Sequence, residues 1–250
     1  MNSKKRIVLI GATSAIAEHC ARIWVEREPV DLTLVGRSTE RTNRVANDLK
    51  VRCPESELHV IQSDFLDPAA IDNIVSDVYG AGSIDIILIA HGMLPEQSEC
   101  QDDTLRFKDT LEVNGLSPVL FAEAFAREMI QADYGTLALI GSVAGDRGRK
   151  SNYAYGAGKA LVERYAQGLQ HRISRTRVRV ILIKPGPTDT PMTSALKASG
   201  ASLTAVETVS KQIVKGIDRG QAVIYTPKKW WWIMMVVRYL PSFIFNRLNI

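Results

Sequence analysis

Cysteine is scarce in this 250-residue chain. The three present (Cys20, Cys53, Cys100) lie far apart, with no CxxC or other metal-ligand spacing. An odd, scattered set argues against a disulfide framework, offers no metal site and points to a reducing, cytoplasmic compartment. Cys20 falls in a helix-like stretch and is expected to pack as a small hydrophobe. Long apolar runs are lacking too, none reaching the ~20 residues of a membrane span. Near the start, Ile7-Val8-Leu9-Ile10 is too short for a signal-peptide core and ends in Gly11, so it reads as a first strand. No Gly/Ser-rich linker and no internal repeat interrupts the chain. What is present, a composition 46% hydrophobic, suffices for one globular domain with a substantial core.

Excess positive charge is missing from most of the chain. The net charge is +4, and residues 227–250 hold Lys228, Lys229, Arg238 and Arg247 with no acid. The rest therefore balances to zero. A nucleic-acid binder would spread a basic face over the domain, so no nucleic-acid partner is expected. The division read here is a domain over 1–227 and a basic, aromatic segment over 228–250.

Short apolar runs alternate with amphipathic stretches. Strand candidates are 6–10, 32–35, 58–61, 84–89, 136–140, 178–183 and 222–225; helix candidates are 15–28, 41–52, 68–79, 114–131, 155–173 and 204–219. Runs rich in Val, Ile and Leu, separated by helices, indicate a parallel sheet covered on both faces. The expected fold class is α/β, a single-domain Rossmann-type doubly wound parallel sheet with a C-terminal amphipathic or apolar extension. Asp67-Pro68 predicts a helix start, and Thr204 with Glu207 has capping-box spacing. Gly11, Gly36, Asp64, Gly92, Ser142 and Pro185 all follow strand candidates, which gathers them on one sheet edge, where such folds bind ligands.

After the first strand, Gly11-Ala12-Thr13-Ser14-Ala15-Ile16-Ala17 opens the first helix. A glycine turn, small residues and a helix N-terminus suit a pyrophosphate, although an ordinary strand-to-helix turn could look the same. Arg37 ends the second strand, where an NAD-selective fold would carry an acid. Arginine suits the 2′-phosphate of NADP, the alternative being a solvated surface residue. Further on, Tyr155 and Lys159 stand four apart, on one face of a helix. A cation beside a phenol lowers a pKa that starts near ~10, which makes a proton donor and acceptor. Ser142, directly after the apolar run 137–140, can hydrogen-bond the oxygen that gains or loses the proton.

Taken together, these residues resemble the short-chain dehydrogenase/reductase family over roughly residues 5 to 225. The resemblance implies NADP(H) binding, carbonyl–alcohol interconversion and, as is common there, a homo-oligomer. It implies that Tyr155 is the acid/base, that Lys159 lowers its pKa and holds the nicotinamide ribose, that Ser142 orients the substrate oxygen and that Asn114 holds a proton-relaying water. Asp64-Phe65 matches the acidic–apolar pair beside the adenine, and Pro185-Gly186-Pro187-Thr188-Asp189-Thr190 matches the segment along the nicotinamide. Two departures stand out. Ala15 and Ala17 replace usual glycines, and Ile89-Ala90-His91-Gly92 replaces Asn-Asn-Ala-Gly. Ala90 and Gly92 then edge the cofactor, and His91 either touches it or is satisfied by nearby backbone.

Within the family, the stretch 145–155 and the tail 233–245 resemble reductases acting on decaprenylphosphoryl-2-keto-ribose. Arg147, Arg149 and Lys150 are expected at the active-site mouth, as a rim for a substrate phosphate or as a solvated charge run. In the tail, Trp230, Trp231 and Trp232 begin eight unbroken apolar residues. This segment suits the membrane interface, with a packing helix as the other reading. The expected activity is NADPH-dependent reduction of a ketone on a polyprenyl-phosphate-linked sugar, at the inner membrane face. Alternatives are a soluble or lipophilic ketone (3-oxoacyl or steroid-like), and a non-catalytic NADP-binding interaction protein. The segment 188–203 is expected to decide the substrate.

Overall fold

The computed structural model describes residues 4–248. Its strands are β1 (Lys5–Ile10), β2 (Val30–Gly36), β3 (Glu57–Gln62), β4 (Ile86–Ile89), β5 (Thr136–Ile140), β6 (Arg179–Pro185), β7 (Thr188–Asp189), β8 (Thr204–Ala205) and β9 (Val223–Thr226). Seven of them form one parallel sheet in the order β3-β2-β1-β4-β5-β6-β9, and β7 pairs separately with β8. The helices are α1 (Ala15–Arg27), α2 (Thr39–Arg52), α3 (Pro68–Gly80), α4 (Gln97–Asp102), α5 (Thr104–Leu111), α6 (Ser117–Ala132), α7 (Tyr153–Arg172), α8 (Ser194–Ala198), α9 (Val206–Asp218), α10 (Lys229–Tyr239) and α11 (Ser242–Phe245).

Alternation along each strand splits the core into two layers. Ile7, Leu9, Leu32, Leu34 and Ile181 face Cys20, Trp24, Leu49 and Ile213 of α1, α2 and α9. Val8, Ile10, Ile87, Leu137 and Leu182 face Ile74, Phe121, Phe125 and Val162 of α3, α6 and α7. Each fully buried phenylalanine contributes roughly 1.5–3 kcal/mol of transfer free energy. Cys20 is wholly buried, as its surroundings suggested, and burial pushes its thiol up to about 12. The strand order turns between β1 and β4, so the connections leave their carboxyl ends toward opposite faces of the sheet and a crevice opens there.

Asp67 caps α3 as expected, accepting from the Ala69 N–H at 3.0 Å ahead of Pro68. Thr204 does not cap α9. Its residue pairs with Thr188 in the β7–β8 ladder, and the helix starts two residues later behind Ala205. The helix expected over 114–131 is present as α6 from Ser117, but its first residues belong to a π-turn, Glu112–Leu116, continuous with α5 and α6. Helices α4 and α5 lie in a polar stretch where the sequence gives little apolar periodicity.

Candidate functional site

A cleft of about 770 Å³ opens at the carboxyl ends of the strands. Gly11, Thr13, Ser14, Ala15, Ile16, Arg37, Phe65, Ala90, Gly92, Ser142, Tyr155, Lys159, Pro185, Gly186, Thr188 and Thr190 all line it. Two expected residues stay off its wall. Asp64 turns its carboxylate onto its own loop, accepting from the Leu66 N–H at 2.9 Å. Asn114 is fully buried behind the cleft.

At one end the backbone makes an anion cradle. Gly11 has φ +80°, and a Cβ there would lie 2.6 Å from that of His91, so only glycine fits. Ser14, the N-cap of α1, puts no side-chain oxygen on the first helical amides. These donors therefore face the cleft with the positive end of the helix behind them. Arg37 follows β2 at the rim, joined by Arg41 from the first turn of α2. The neighbouring acid, Glu40, is taken by Arg44 at 3.1 Å. Sequence reading missed Arg41, although it stands four residues beyond Arg37, at the start of a helix whose N-terminus points the same way. A group with a diphosphate and an added phosphate, as in NADP(H), fits this cradle and rim.

The other end holds the reactive groups. Behind β5, Ser142 caps a single 3-10 turn (Val143–Gly145), accepting from the Ala144 N–H at 3.0 Å. That turn packs directly on α7, because Gly145 and Gly156 have no side chains: a Cβ at either would come within 2.9 Å of backbone. A long-range contact holds the start of α7, with the side-chain Oε1 of Gln97 accepting from the Ala154 N–H at 3.0 Å. Lys159, one turn after Tyr155, is 2% exposed and donates to the Ile140 carbonyl at 2.9 Å. Its Nζ lies 5.8 Å from the centre of the Tyr155 ring.

The pKa of Tyr155 departs from the simple sequence expectation. Burial pushes the phenol up, opposed by the Ser142 hydroxyl and the Arg149 charge rather than by Lys159. Burial also lowers Lys159, to about 8. Desolvation favours the neutral form of both groups.

Asn114 is spent on backbone. It accepts from the Met93 N–H at 2.9 Å and donates to the Thr110 carbonyl at 2.9 Å. Through Gly92 it still borders the reactive end: a Cβ on that glycine would lie 2.9 Å from Asn114 Oδ1 and 3.5 Å from Lys159 Nζ. His91 lines the cleft beside Phe65, their ring centroids 4.8 Å apart and edge to face. Its Nε2 meets the Ser117 hydroxyl at 2.8 Å, which itself donates to the Phe65 carbonyl at 2.7 Å, so Nε2 is the donor. Burial, with the Lys159 and Arg37 charges, lowers His91 to about 3 and keeps the ring neutral.

The basic loop divides. Only Arg149 of its three cations lines the cleft. Lys150 is solvent-exposed, and Arg147 turns away from the mouth to hold the tail. Arg147 donates to the carbonyls of Val237 and Leu240, each at 2.6 Å, and covers the Phe245 ring at 3.8 Å. A cation on the last carbonyls of α10 is favourable in both hydrogen bonding and helix dipole. The loop is fixed further by Asp146, which accepts from Lys184 and from Tyr225. In the tail, Met234 is the buried anchor and Trp230 packs on Gly186, whereas Trp231 and Trp232 stay exposed.

Known proteins share this fold. The family model described as short chain dehydrogenase matches residues 5–200. The uncharacterized oxidoreductase in the mprA 5′ region of Streptomyces coelicolor is 28% identical over 247 residues, 98% of this chain and 96% of that protein. A short-chain dehydrogenase from Sphingobium yanoikuyae, solved in complex with NADPH, is similar at TM-score 0.81 and 24% identity, over 98% of this chain and 96% of that one. The bulky-bulky ketone specific alcohol dehydrogenase from Comamonas testosteroni is similar at TM-score 0.79 and 23% identity, over 99% and 96% of the two chains. The chain belongs to the short chain dehydrogenase family of oxidoreductases.

Proposed function

We propose that this protein is an NADPH-dependent reductase that converts a ketone to a secondary alcohol. One observation carries the reading: Ser142, Tyr155 and Lys159 line the same cleft as the open N-terminus of α1 and the Arg37–Arg41 rim. NADPH in that cleft supplies the hydride. The α1 amides would hold its diphosphate, Arg37 and Arg41 its 2′-phosphate, and Lys159 its nicotinamide ribose. Ser142 holds the ketone oxygen, and Tyr155 delivers a proton to it as charge develops. The protonated phenol that burial favours is the form this direction needs. The NADPH complex of the Sphingobium protein supports the cofactor.

The favoured substrate is a keto-sugar on a polyprenyl phosphate, met at the inner membrane face by a homo-oligomeric enzyme. Support comes from the tail. Among its exposed residues are Trp232 at 70%, Tyr239 and Phe243, beside Lys228, Lys229, Arg238 and Arg247 and no acid. No helix of the described residues is long and apolar enough to cross a membrane, so contact would be interfacial. A second reading, a bulky lipophilic ketone, is favoured by the apolar cleft residues Leu94, Met192 and Leu196 and by the ketone specificity of the Comamonas protein. Oxidation of NADPH against a panel of lipid-linked keto-sugars, free keto-sugars and bulky ketones tests both. Turnover of the lipid-linked members is expected, turnover of bulky ketones alone would replace the substrate, and no turnover of any would remove the reductase reading.

A further inference from the structure

Two polar groups of the loop before α7 are left without protein partners. Arg149 Nε and Asn152 Oδ1 are both buried, and neither has a hydrogen-bond partner. The two residues line the cleft on the stretch that leads into Tyr155. One is a donor and the other an acceptor, yet they do not pair with each other. Buried polar groups are overwhelmingly satisfied in folded proteins, so an orphaned pair on residues that line a cleft marks where a ligand supplies the partners. Asp146, the acid whose charge acts on Arg149, is already engaged by Lys184 and Tyr225. Arg147 shows what a structural arginine in the same loop looks like, with two short carbonyl contacts and a ring beneath it.

We propose that Arg149 and Asn152 form a recognition site for a substrate that carries an oxyanion near its ketone, with Asn152 accepting from a hydroxyl of the same molecule. The proposal rests on the reductase reading and on the placement it gives NADPH. That placement uses the α1 amides for the diphosphate, Arg37 and Arg41 for the 2′-phosphate and Lys159 for the ribose. Arg149 has no charge left to meet on the cofactor. It stands instead beside Tyr155, and its charge acts on the phenol, so the anion it holds would lie close to the carbonyl. A guanidinium binds carboxylate or phosphate through a planar fork, which a lysine cannot reproduce.

The test uses the full-length protein with NADPH and two matched ketone pairs: 4-oxopentanoate with its methyl ester, and dihydroxyacetone phosphate with dihydroxyacetone. Wild type should prefer the anionic member of at least one pair, and the pair with the larger preference tells carboxylate from phosphate. Arg149→Gln should raise KM for that member by roughly ten- to a hundredfold, the loss of one charged hydrogen-bonding group. KM for the neutral member and NADPH affinity should not move, and Arg149→Lys should recover part of the loss. An equal rise in KM on both members would overturn the proposal; a shifted alkaline limb of the pH profile would not, because the Arg149 charge already acts on the Tyr155 phenol. Calorimetric titration of inorganic phosphate and 4-oxopentanoate into the NADP⁺-loaded protein decides the matter without turnover. Arg149-dependent binding of either anion without reduction of any ketone would keep the anion site and remove the reductase reading. No binding to wild type would remove the anion site.

Discussion

Burial sets the resting state of the reactive pair more than the neighbouring charge does. The four-residue spacing of Tyr155 and Lys159 was legible in the sequence, as was Ser142 at a strand end. The direction of the phenol's shift was not, because desolvation comes from elements distant in the chain. Lys159 illustrates the consequence. Its pKa falls from about 10.5 to about 8, so the stability tied to its neutral form is complete above 10.5 and lost as pH falls through 8. At neutral pH the buried ammonium therefore costs stability. Lys159→Met should raise the melting temperature of the cofactor-free protein while abolishing turnover, and an unchanged or lower melting temperature would contradict this. With Lys159 needed as a cation, reduction should decline as pH rises through about 8, read from kcat/KM against pH. At the other end of the cleft, Arg37→Ala should weaken NADPH by about tenfold or more and leave NADH nearly untouched. Equal losses for the two nucleotides would remove the 2′-phosphate role.

At the scale of elements, glycine contacts bring the reactive helix into place. Gly158 of α7 lies against the π-turn, where an added Cβ would fall 2.9 Å from that of Asn114. Gly158→Ala should therefore overpack this contact, at a cost of about 1–3 kcal/mol, and lower turnover by displacing Asn114 and Lys159. Denaturant unfolding together with steady-state kinetics checks both effects. The seven strands of the sheet were readable as aliphatic runs, and α1, α2, α3 and α7 as amphipathic stretches. The π-turn was not readable, since the one-residue phase shift it makes in the apolar pattern looks the same as a break between two helices. Arg147 misled for another reason. Adjacent cations in a loop share composition but not direction, and only the position of α10 explains why this one turns outward.

At the scale of the whole molecule, the tail packs against the wall of the cleft. Trp230 covers Gly186 on the cleft wall, and Arg147 ties α10 to the loop that carries Arg149. Removing residues 228–250 should thus lower thermal stability and NADPH affinity as well as any lipid contact. In co-sedimentation with anionic vesicles, the full chain should bind and weaken as salt rises, each flanking cation contributing roughly 1 kcal/mol at low salt. Failure of the full chain to sediment would dismiss the membrane reading and leave the tail a packing element. The central claim, proton delivery by Tyr155 during NADPH-dependent ketone reduction, is tested most directly by Tyr155→Phe. NADPH oxidation on the best ketone of the panel should fall by roughly a hundredfold or more while NADPH binding stays at the wild-type level. Wild-type turnover from the phenylalanine variant would contradict it.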